Sequence, residues 1–142
     1  MELYQTCLAV FESLGLKYEG PISESLTVYT DADWVGDLDD RHSTSGNAFI
    51  MGGGAVSWMS KKQLIVALST AETEYIALCS ATQETIWLRQ LLTDIGQLPA
   101  DATVIWEDNQ SAISLAKNPV CHSRTKHIDT CYHFIREELQ SG

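Results

Sequence analysis

The alternation of hydrophobic and polar positions predicts four β-strands. Residues 26–33 (LTVYTDAD) alternate between the two classes, as a strand with one buried face does. Residues 48–51 and 55–60 are rich in β-forming side chains and flank three glycines at 52–54, which predicts a β-hairpin. Residues 103–107 (TVIWE) form a further short apolar run and are predicted to be the fourth strand.

A long helix is predicted between the hairpin and the fourth strand. Ser69 and Glu72 form a capping box, in which each side chain bonds to the backbone of the other residue. Apolar residues recur after it at helical spacing as far as Gly96, where the helix is expected to end. Shorter helices are predicted within residues 1–20 (ending near residue 15), from about 109 to 117 and from about 126 to 140.

The order of these elements predicts an α/β fold. A hairpin that continues from the first strand gives three antiparallel strands. The fourth strand follows a helical crossover, so it is expected to pair with the first strand in parallel. The predicted architecture is a mixed sheet with helices packed on it, and 142 residues suit a single domain of this kind.

The net charge of −10 argues against a protein that holds nucleic acid by bulk positive charge alone, because such proteins cluster Lys and Arg against phosphates. It is compatible with a nuclease, because carboxylates that bind metal ions add negative charge. No secretory signal is recognisable, and no apolar run approaches the roughly 20 residues that span a bilayer. We therefore expect an intracellular protein without membrane contacts.

The four cysteines form no CxxC pair, which indicates reduced thiols. The alternative is a zinc site, although the spacing of its ligands fits no common zinc motif. Its candidate ligands are Cys121, His122, His127, Cys131 and His133.

Three carboxylates are candidates for a metal site. Asp31 lies late in the first strand and Asp108 follows the fourth, so parallel pairing brings both to the same edge of the sheet, where ligand sites of such sheets form. Glu74 lies in the first turns of the long helix, beside its apolar stripe. Carboxylates that lie close together raise one another's pKa unless a cation binds between them. Ligands that are all oxygen atoms favour Mg²⁺ or Mn²⁺. Alternatively, each of the three has only a local role. Asp31 would then belong to a turn at the end of a strand, Glu74 would interact favourably with the dipole at a helix start, and Asp108 would be an N-cap.

Six motifs resemble, in order and spacing, the ribonuclease H region of copia-type retrotransposon Pol polyproteins. They are YTDADWVGD (29–37), DRHSTSG (40–46), SWMSKKQ (57–63), ALSTAETEYIAL (67–78), WEDNQSAISLAKNP (106–119) and HSRTKHID (122–129). The resemblance covers about residues 15–142. It implies the ribonuclease H fold and an endonuclease, dependent on two Mg²⁺ or Mn²⁺ ions, that cuts the RNA strand of RNA–DNA hybrids during reverse transcription. The implied partners are the hybrid and the reverse transcriptase domain of the parent polyprotein, in a cytoplasmic virus-like particle or in the nucleus.

The resemblance also implies the roles of individual residues. Asp31 matches the first catalytic Asp of the family, Glu74 the Glu of the helix and Asp108 the second Asp, all three as metal ligands. Glu72 is then the capping-box partner, and it is the main rival to Glu74 because both lie near the helix start.

The chain departs from the family pattern at both ends. The family carries a fourth Asp beyond a further strand, and Gly142 precedes that segment, so we expect the last strand and helix of the fold to be missing. Asp129 is the only late carboxylate in a position to substitute, and we expect it to be structural. Residues 1–14 do not resemble the family, which suggests an N-terminal connection remnant (1–20) followed by a truncated domain (21–142).

Nucleic-acid contacts are expected from polar and basic side chains near the carboxylates, since a ribonuclease H must recognise both phosphates and 2′-hydroxyls. The candidates are Ser43, Thr44, Ser45, Lys61, Lys62, Asn109, Gln110, Arg124 and Lys126. Alternatively, these residues do not contact nucleic acid: residues 43–45 would be a polar segment that leads into the hairpin, residues 61–62 a solvated turn, and residues 109–110 the cap of a helix. The four tryptophans, at positions 34, 58, 87 and 106, are expected in the core rather than as base-stacking platforms.

Two other functions remain open. A transposase or integrase uses two Asp and then a late Glu, whereas the Glu here lies between the two Asp, and the only late glutamates are Glu137 and Glu138. The second alternative is a retrotransposon-derived remnant without nuclease activity. The expected truncation favours the remnant, and the three carboxylates favour the nuclease.

Overall fold

The structure is a computed structural model that describes residues 16, 18, 25–36, 41–97, 101–117, 134, 135, 137 and 138. Its helices and strands are β1 (Thr27–Asp33), β2 (Thr44–Met51), β3 (Gly54–Lys62), α1 (Thr70–Asp94), β4 (Val104–Trp106) and α2 (Gln110–Lys117). The helix predicted within residues 1–20 lies outside the described residues. So does most of the one predicted at 126–140, of which the four described residues are helical.

The four strands form one mixed sheet in the order β3-β2-β1-β4. The pairs β1–β2 and β2–β3 are antiparallel, and β1–β4 is parallel, with Tyr29 opposite Trp106. This confirms the predicted fold class. The hairpin is longer than predicted, because β2 begins at Thr44 rather than at residue 48 and β3 continues to Lys62. Among the described residues, no helix is long and apolar enough to cross a bilayer.

Helix α1 begins and ends where its capping residues predict. The Ser69 side chain accepts a hydrogen bond from the backbone N–H of Glu72 at 3.2 Å, and the Glu72 carboxylate accepts one from the backbone N–H of Leu68. At the other end Gly96 has φ 75°, a conformation that glycine adopts without steric cost. The backbone N–H of Gln97 then donates to the Leu92 carbonyl at 2.7 Å and closes the last turn.

The hydrophobic core lies between α1 and one face of the sheet. Leu26, just before β1, Val28 of β1 and Phe49 of β2 pack against Ala81 and Leu88 of the helix. A second cluster joins Tyr75, Leu78 and Cys79 of α1 to Ile135, with α2 and Ile105 of β4 beside it. The core therefore fixes the start of α1 over the edge of the sheet where β1 and β4 end.

The prediction that the tryptophans lie in the core is wrong. Trp34, Trp58, Trp87 and Trp106 are 46%, 62%, 57% and 57% exposed. Trp58 and Trp106 lie on strands but on the face of the sheet turned away from α1, and Trp87 lies on the outer side of the helix. The size and strand propensity of tryptophan do not determine on which side of a strand or helix its ring lies.

Candidate metal centre

The structure brings Asp31, Glu74 and Asp108 together. Each contributes one carboxylate oxygen, and these three oxygens lie within 4.8 Å of one another. The parallel register pairs Tyr29 with Trp106, so Asp31 and Asp108 each follow a paired residue by two positions at the same edge of the sheet. Among the described residues this is the one cluster of three or more potential metal ligands of the His, Cys, Asp or Glu type.

A buried polar network positions the start of α1, and with it Glu74. The Gln63 side-chain amide donates to the hydroxyl of Ser45 at 2.8 Å and to the backbone carbonyl of Thr73 at 3.0 Å. The hydroxyl of Ser43 lies 3.3 Å from that of Thr73 and accepts from the backbone N–H of Val35 at 3.1 Å. The network therefore links β2, the exit of β1 and the first turn of α1, one residue before Glu74.

The same network corrects two predicted nucleic-acid contacts. Ser43 is 0% exposed and Ser45 is 4% exposed, and both hydroxyls bond within the protein. Their burial contradicts direct contact between these side chains and nucleic acid. The alternation of small polar residues at 43, 45 and 47 follows the strand period, so these residues form the polar end of the inward face of β2.

Four of the remaining predicted contacts are described and are at least partly exposed. Lys61 and Lys62 are exposed at the end of β3, and Thr44 is half-buried on β2. Gln110 is exposed at the start of α2. Arg124 and Lys126 lie outside the described residues, as do Asp129 and the five candidate zinc ligands.

Asn109 has the capping role that was the alternative to nucleic-acid contact. Its side-chain oxygen accepts from the backbone N–H groups of Ser111 at 3.0 Å and Ala112 at 3.1 Å. Asn109, which directly follows Asp108, is thus the cap of α2, and the Asp108 carboxylate is not used for capping. Glu72 likewise serves the capping box of α1, whereas Glu74 lies in the cluster.

Glu74 is buried in an environment that favours its protonated form when no cation is present. It is 7% exposed, and its Oε2 is buried without a hydrogen-bond partner. Burial, together with repulsion from the carboxylates of Glu107, Asp31 and Asp108, raises the pKa of Glu74 from its ordinary value of 4.5 to about 7. A hydrogen bond from the Ala32 backbone opposes this shift.

Glu107 is a fourth carboxylate near the cluster that the sequence did not single out. One of its oxygens accepts from the backbone N–H of Asn109 at 2.9 Å, and the other is buried without a partner. Burial is the main cause that raises the pKa of Glu107, and Asp108 and Asp31 add to it. The sequence did contain a signal for Glu107. Ile105 packs toward α1, and side chains two positions apart on a strand lie on the same face, so Glu107 also lies on the side of α1.

These residues have the chemistry of a site for hard divalent cations. The donors are carboxylate oxygens, which Mg²⁺ and Mn²⁺ prefer. The unpartnered, buried Oε2 of Glu74 is an acceptor that a cation would satisfy. A cation would also remove the repulsion that raises the pKa of Glu74, so the residues present fit such a metal.

Comparison with known proteins identifies relatives by sequence and by fold. No protein-family model matches the chain. It is 53% identical over 109 residues to the retrovirus-related Pol polyprotein from transposon TNT 1-94 of Nicotiana tabacum, which covers 77% of this chain and 8% of that protein. It is 47% identical over 118 residues to the corresponding polyprotein from transposon RE2 of Arabidopsis thaliana, which covers 83% of this chain and again 8% of the relative.

The fold has a relative among solved structures. LC11-RNase H1, isolated from compost by a metagenomic approach, superposes with a TM-score of 0.52 at 14% identity, over 83% of this chain and 77% of that one. This structural similarity identifies the fold, whereas the sequence relatives identify the family. The chain is therefore a ribonuclease H-like domain related to the Pol polyproteins of copia-type transposons, which confirms the resemblance carried by its motifs.

Proposed function

We propose that this domain is a metal-dependent endonuclease that hydrolyses the RNA strand of RNA–DNA hybrids during reverse transcription of a retrotransposon. The observation that carries the proposal is the convergence of Asp31, Glu74 and Asp108, whose carboxylate oxygens lie within 4.8 Å of one another. The ribonuclease H-like fold and the Pol polyprotein relatives support it.

Two Mg²⁺ or Mn²⁺ ions would be held by Asp31, Glu74 and Asp108. When bound, such ions activate water and stabilise the leaving oxygen of a phosphodiester. The protein's own contribution is to hold the three carboxylates in place before the substrate arrives. The buried network around Gln63 fixes Glu74, and the parallel pairing of β1 with β4 fixes the two aspartates.

The substrate would extend from the carboxylates toward β3. Asp33 pairs with Thr44, and Thr44 pairs with Lys62, so the lysines lie at the same edge of the sheet as the cluster. Two strand spacings separate β1 from β3, about 10 Å. On this proposal Lys61 and Lys62 would contact phosphates of the hybrid. Thr44 and Gln110 are the described polar candidates, and Arg124 and Lys126 are proposed from the sequence alone.

The partners and the place of action are also proposals. The chain spans about 8% of the length of the curated relatives that it matches. The reverse transcriptase domain of a parent polyprotein would supply the hybrid, in a cytoplasmic virus-like particle or in the nucleus.

The test is cleavage of a labelled RNA–DNA hybrid in Mg²⁺ or Mn²⁺. Asp108→Asn should lower the rate about 100-fold or more, since metal ions contribute several kcal/mol in the transition state. Glu74→Gln should have a similar effect. Glu72→Gln is the matched control, two residues away, and should retain activity because glutamine still accepts the Leu68 hydrogen bond.

Two outcomes would overturn the proposal. If Glu72→Gln abolishes cleavage and Glu74→Gln does not, the helix ligand is misassigned. If the wild-type chain neither cleaves the hybrid nor binds the metal, the alternative of a non-catalytic retrotransposon remnant stands.

A further inference from the structure

Two carboxylate oxygens among the described residues are buried without a hydrogen-bond partner, and both lie at the candidate metal centre. They are the Oε2 atoms of Glu74 and Glu107. Glu74 is 7% exposed, and Glu107 is half-buried. An ionised carboxylate in a buried position is unfavourable unless a donor or a cation satisfies it. Both oxygens are therefore acceptors that a shared cation would satisfy.

Strand alternation places Glu107 on the same side of the sheet as Glu74. Val28 of β1 pairs with Ile105 of β4, and both side chains belong to the core that packs against α1. Glu107 follows Ile105 by two positions, so it lies on the same face of the sheet. Glu74 lies in the first turns of α1, which covers this face. The two glutamates thus lie on the α1 side of the centre, one on the helix and one after β4.

Electrostatic repulsion indicates that these two carboxylates lie close together. After burial, Glu107 is the largest cause that raises the pKa of Glu74, ahead of Asp31 and Asp108. Repulsion between like charges weakens with distance, so Glu107 is a near neighbour of Glu74. Glu107 is not one of the three residues whose oxygens all lie within 4.8 Å of one another. It therefore extends the cluster on the side of Glu74.

The centre consequently has an exposed side and a buried side. Asp31 and Asp108 are exposed, whereas Glu74 is buried and Glu107 is half-buried. Two divalent cations carry four positive charges, and the three carboxylates of the cluster carry three negative charges when ionised. Glu107 supplies a fourth negative charge beside them, and charges that are buried are stable only when they are paired.

We propose that Glu107 is a fourth metal ligand, and that Glu74 and Glu107 together hold one of the two cations on the α1 side of the cluster. This inference rests on the proposed metal-dependent function. Asp31 and Asp108 would hold the other cation, and Glu74 would be shared between the two. Mg²⁺ commonly binds proteins through one or two carboxylates and keeps several waters, so two glutamates suffice for such a site.

The alternative is that Glu107 has only a local structural role. One of its oxygens accepts from the backbone N–H of Asn109 at 2.9 Å, directly before α2. This bond uses Oε1 and leaves the buried Oε2 without a partner. Glutamine keeps an oxygen that accepts from Asn109 and removes the charge. Glu107→Gln therefore separates the two roles.

The experiment is a titration of the full chain with Mn²⁺, followed by calorimetry and electron paramagnetic resonance. The wild type should bind two ions with a spin-coupled signal, because they share Glu74. Glu107→Gln should bind one of the two ions about tenfold or more weakly and lose the coupled signal, while it retains the other ion. Glu84→Gln is the matched control and should bind both ions. Glu84 is also half-buried, and its carboxylate accepts from Ser57 at 3.0 Å outside the cluster.

Thermal unfolding distinguishes loss of a ligand from damage to the fold. In EDTA, Glu107→Gln should raise the Tm, because it removes repulsion among buried carboxylates and keeps the bond to Asn109. Added Mn²⁺ should then raise the Tm of this variant less than that of the wild type. A purely structural Glu107 would give the opposite pattern, with a lower Tm in EDTA and an unchanged rise with Mn²⁺.

Failure of this inference is distinguishable from failure of the proposed function. If the wild type cleaves the hybrid, but binds a single Mn²⁺ or binds two ions as tightly as Glu107→Gln does, only the role of Glu107 is overturned. The same holds if Glu107→Gln shows the structural pattern of unfolding. If the wild type neither binds Mn²⁺ nor cleaves the hybrid, the proposed function and this inference fail together.

Discussion

At the residue scale, the raised pKa of the Glu74 carboxyl should couple metal binding at the candidate site to pH. Its pKa is raised to about 7 by burial and by the surrounding carboxylates. In the unfolded chain the pKa of the same group has its ordinary value of 4.5. At a pH between 4.5 and about 7, the folded state therefore binds the proton more tightly than the unfolded state does. A divalent cation competes with this proton, and affinity for the metal should therefore rise as the pH increases through 7.

The first prediction is that the metal-free protein loses stability as the pH rises from about 5 to 8. The stabilisation from protonated Glu74 is fully present below pH 4.5 and is lost as the pH rises through about 7. The loss should be on the order of 1–3 kcal/mol. Urea unfolding in EDTA at the two pH values measures it.

Two variants isolate the contribution of Glu74. Glu74→Gln should remove this part of the pH dependence, and Glu84→Gln, a matched change three turns along α1, should retain it. Glu107→Gln should lower the pKa of Glu74, because it removes the largest repulsion from another carboxylate. The same slope in Glu74→Gln and the wild-type chain would contradict the prediction.

The sequence predicts the members of the cluster better than its surroundings. Asp31 and Asp108 follow from parallel strand pairing, and Glu74 follows from its place near the start of a capped helix. Glu107 was missed because an acidic residue beside Asp108 on a short strand looks solvent-exposed until Ile105 fixes the strand's orientation. Ser43 and Ser45 were assigned to nucleic acid because a hydroxyl has the same sequence signature in a buried network as on a surface.

At the element scale, the contact between β2 and the first turn of α1 depends on Gln63. Its amide joins Ser45 to the Thr73 carbonyl, and its backbone N–H donates to the Ser43 carbonyl at 2.8 Å. The side chain is 6% exposed, so its hydrogen bonds are shielded from water.

The second prediction is that Gln63→Ala destabilises the protein by about 1–3 kcal/mol, because it leaves buried polar groups without partners. It should also weaken metal binding, since Glu74 follows Thr73 directly. Gln90→Ala is the matched control: that amide bonds the Asp94 side chain at 2.8 Å on the exposed side of α1. The control should change stability by less than about 0.5 kcal/mol. Equal effects of the two substitutions would show that the network does not position the helix.

The bounds of α1 were predictable because its signals are local. Ser69 and Glu72 mark its start, and Gly96 marks its end through a backbone conformation that other residues rarely adopt. The start of β2 was not predictable from hydrophobicity, because Ser43, Ser45 and Asn47 are polar residues on a buried face. The Asn47 side chain accepts from the Thr30 hydroxyl at 3.0 Å, which satisfies it inside the protein.

At the scale of the whole molecule, the sheet topology brings distant motifs to one edge. Asp31 and Asp108 are separated by the hairpin and the 25 residues of α1, yet the crossover returns β4 beside β1. The sequence was sufficient to predict this arrangement because the handedness and order of such connections are restricted. It did not predict which face of the sheet is covered, as the exposed Trp58 and Trp106 show.

The most direct test of the metal centre is a titration of the purified chain with Mn²⁺ by calorimetry. Asp31→Asn should weaken binding by more than about tenfold, since even residues beyond the ligands contribute about 10–100-fold to metal affinity. Asp33→Asn, two residues further along β1 and outside the cluster, is the matched control and should bind as the wild type does. Equal affinity of wild type, Asp31→Asn and Asp33→Asn would contradict a shared cation site at Asp31, Glu74 and Asp108.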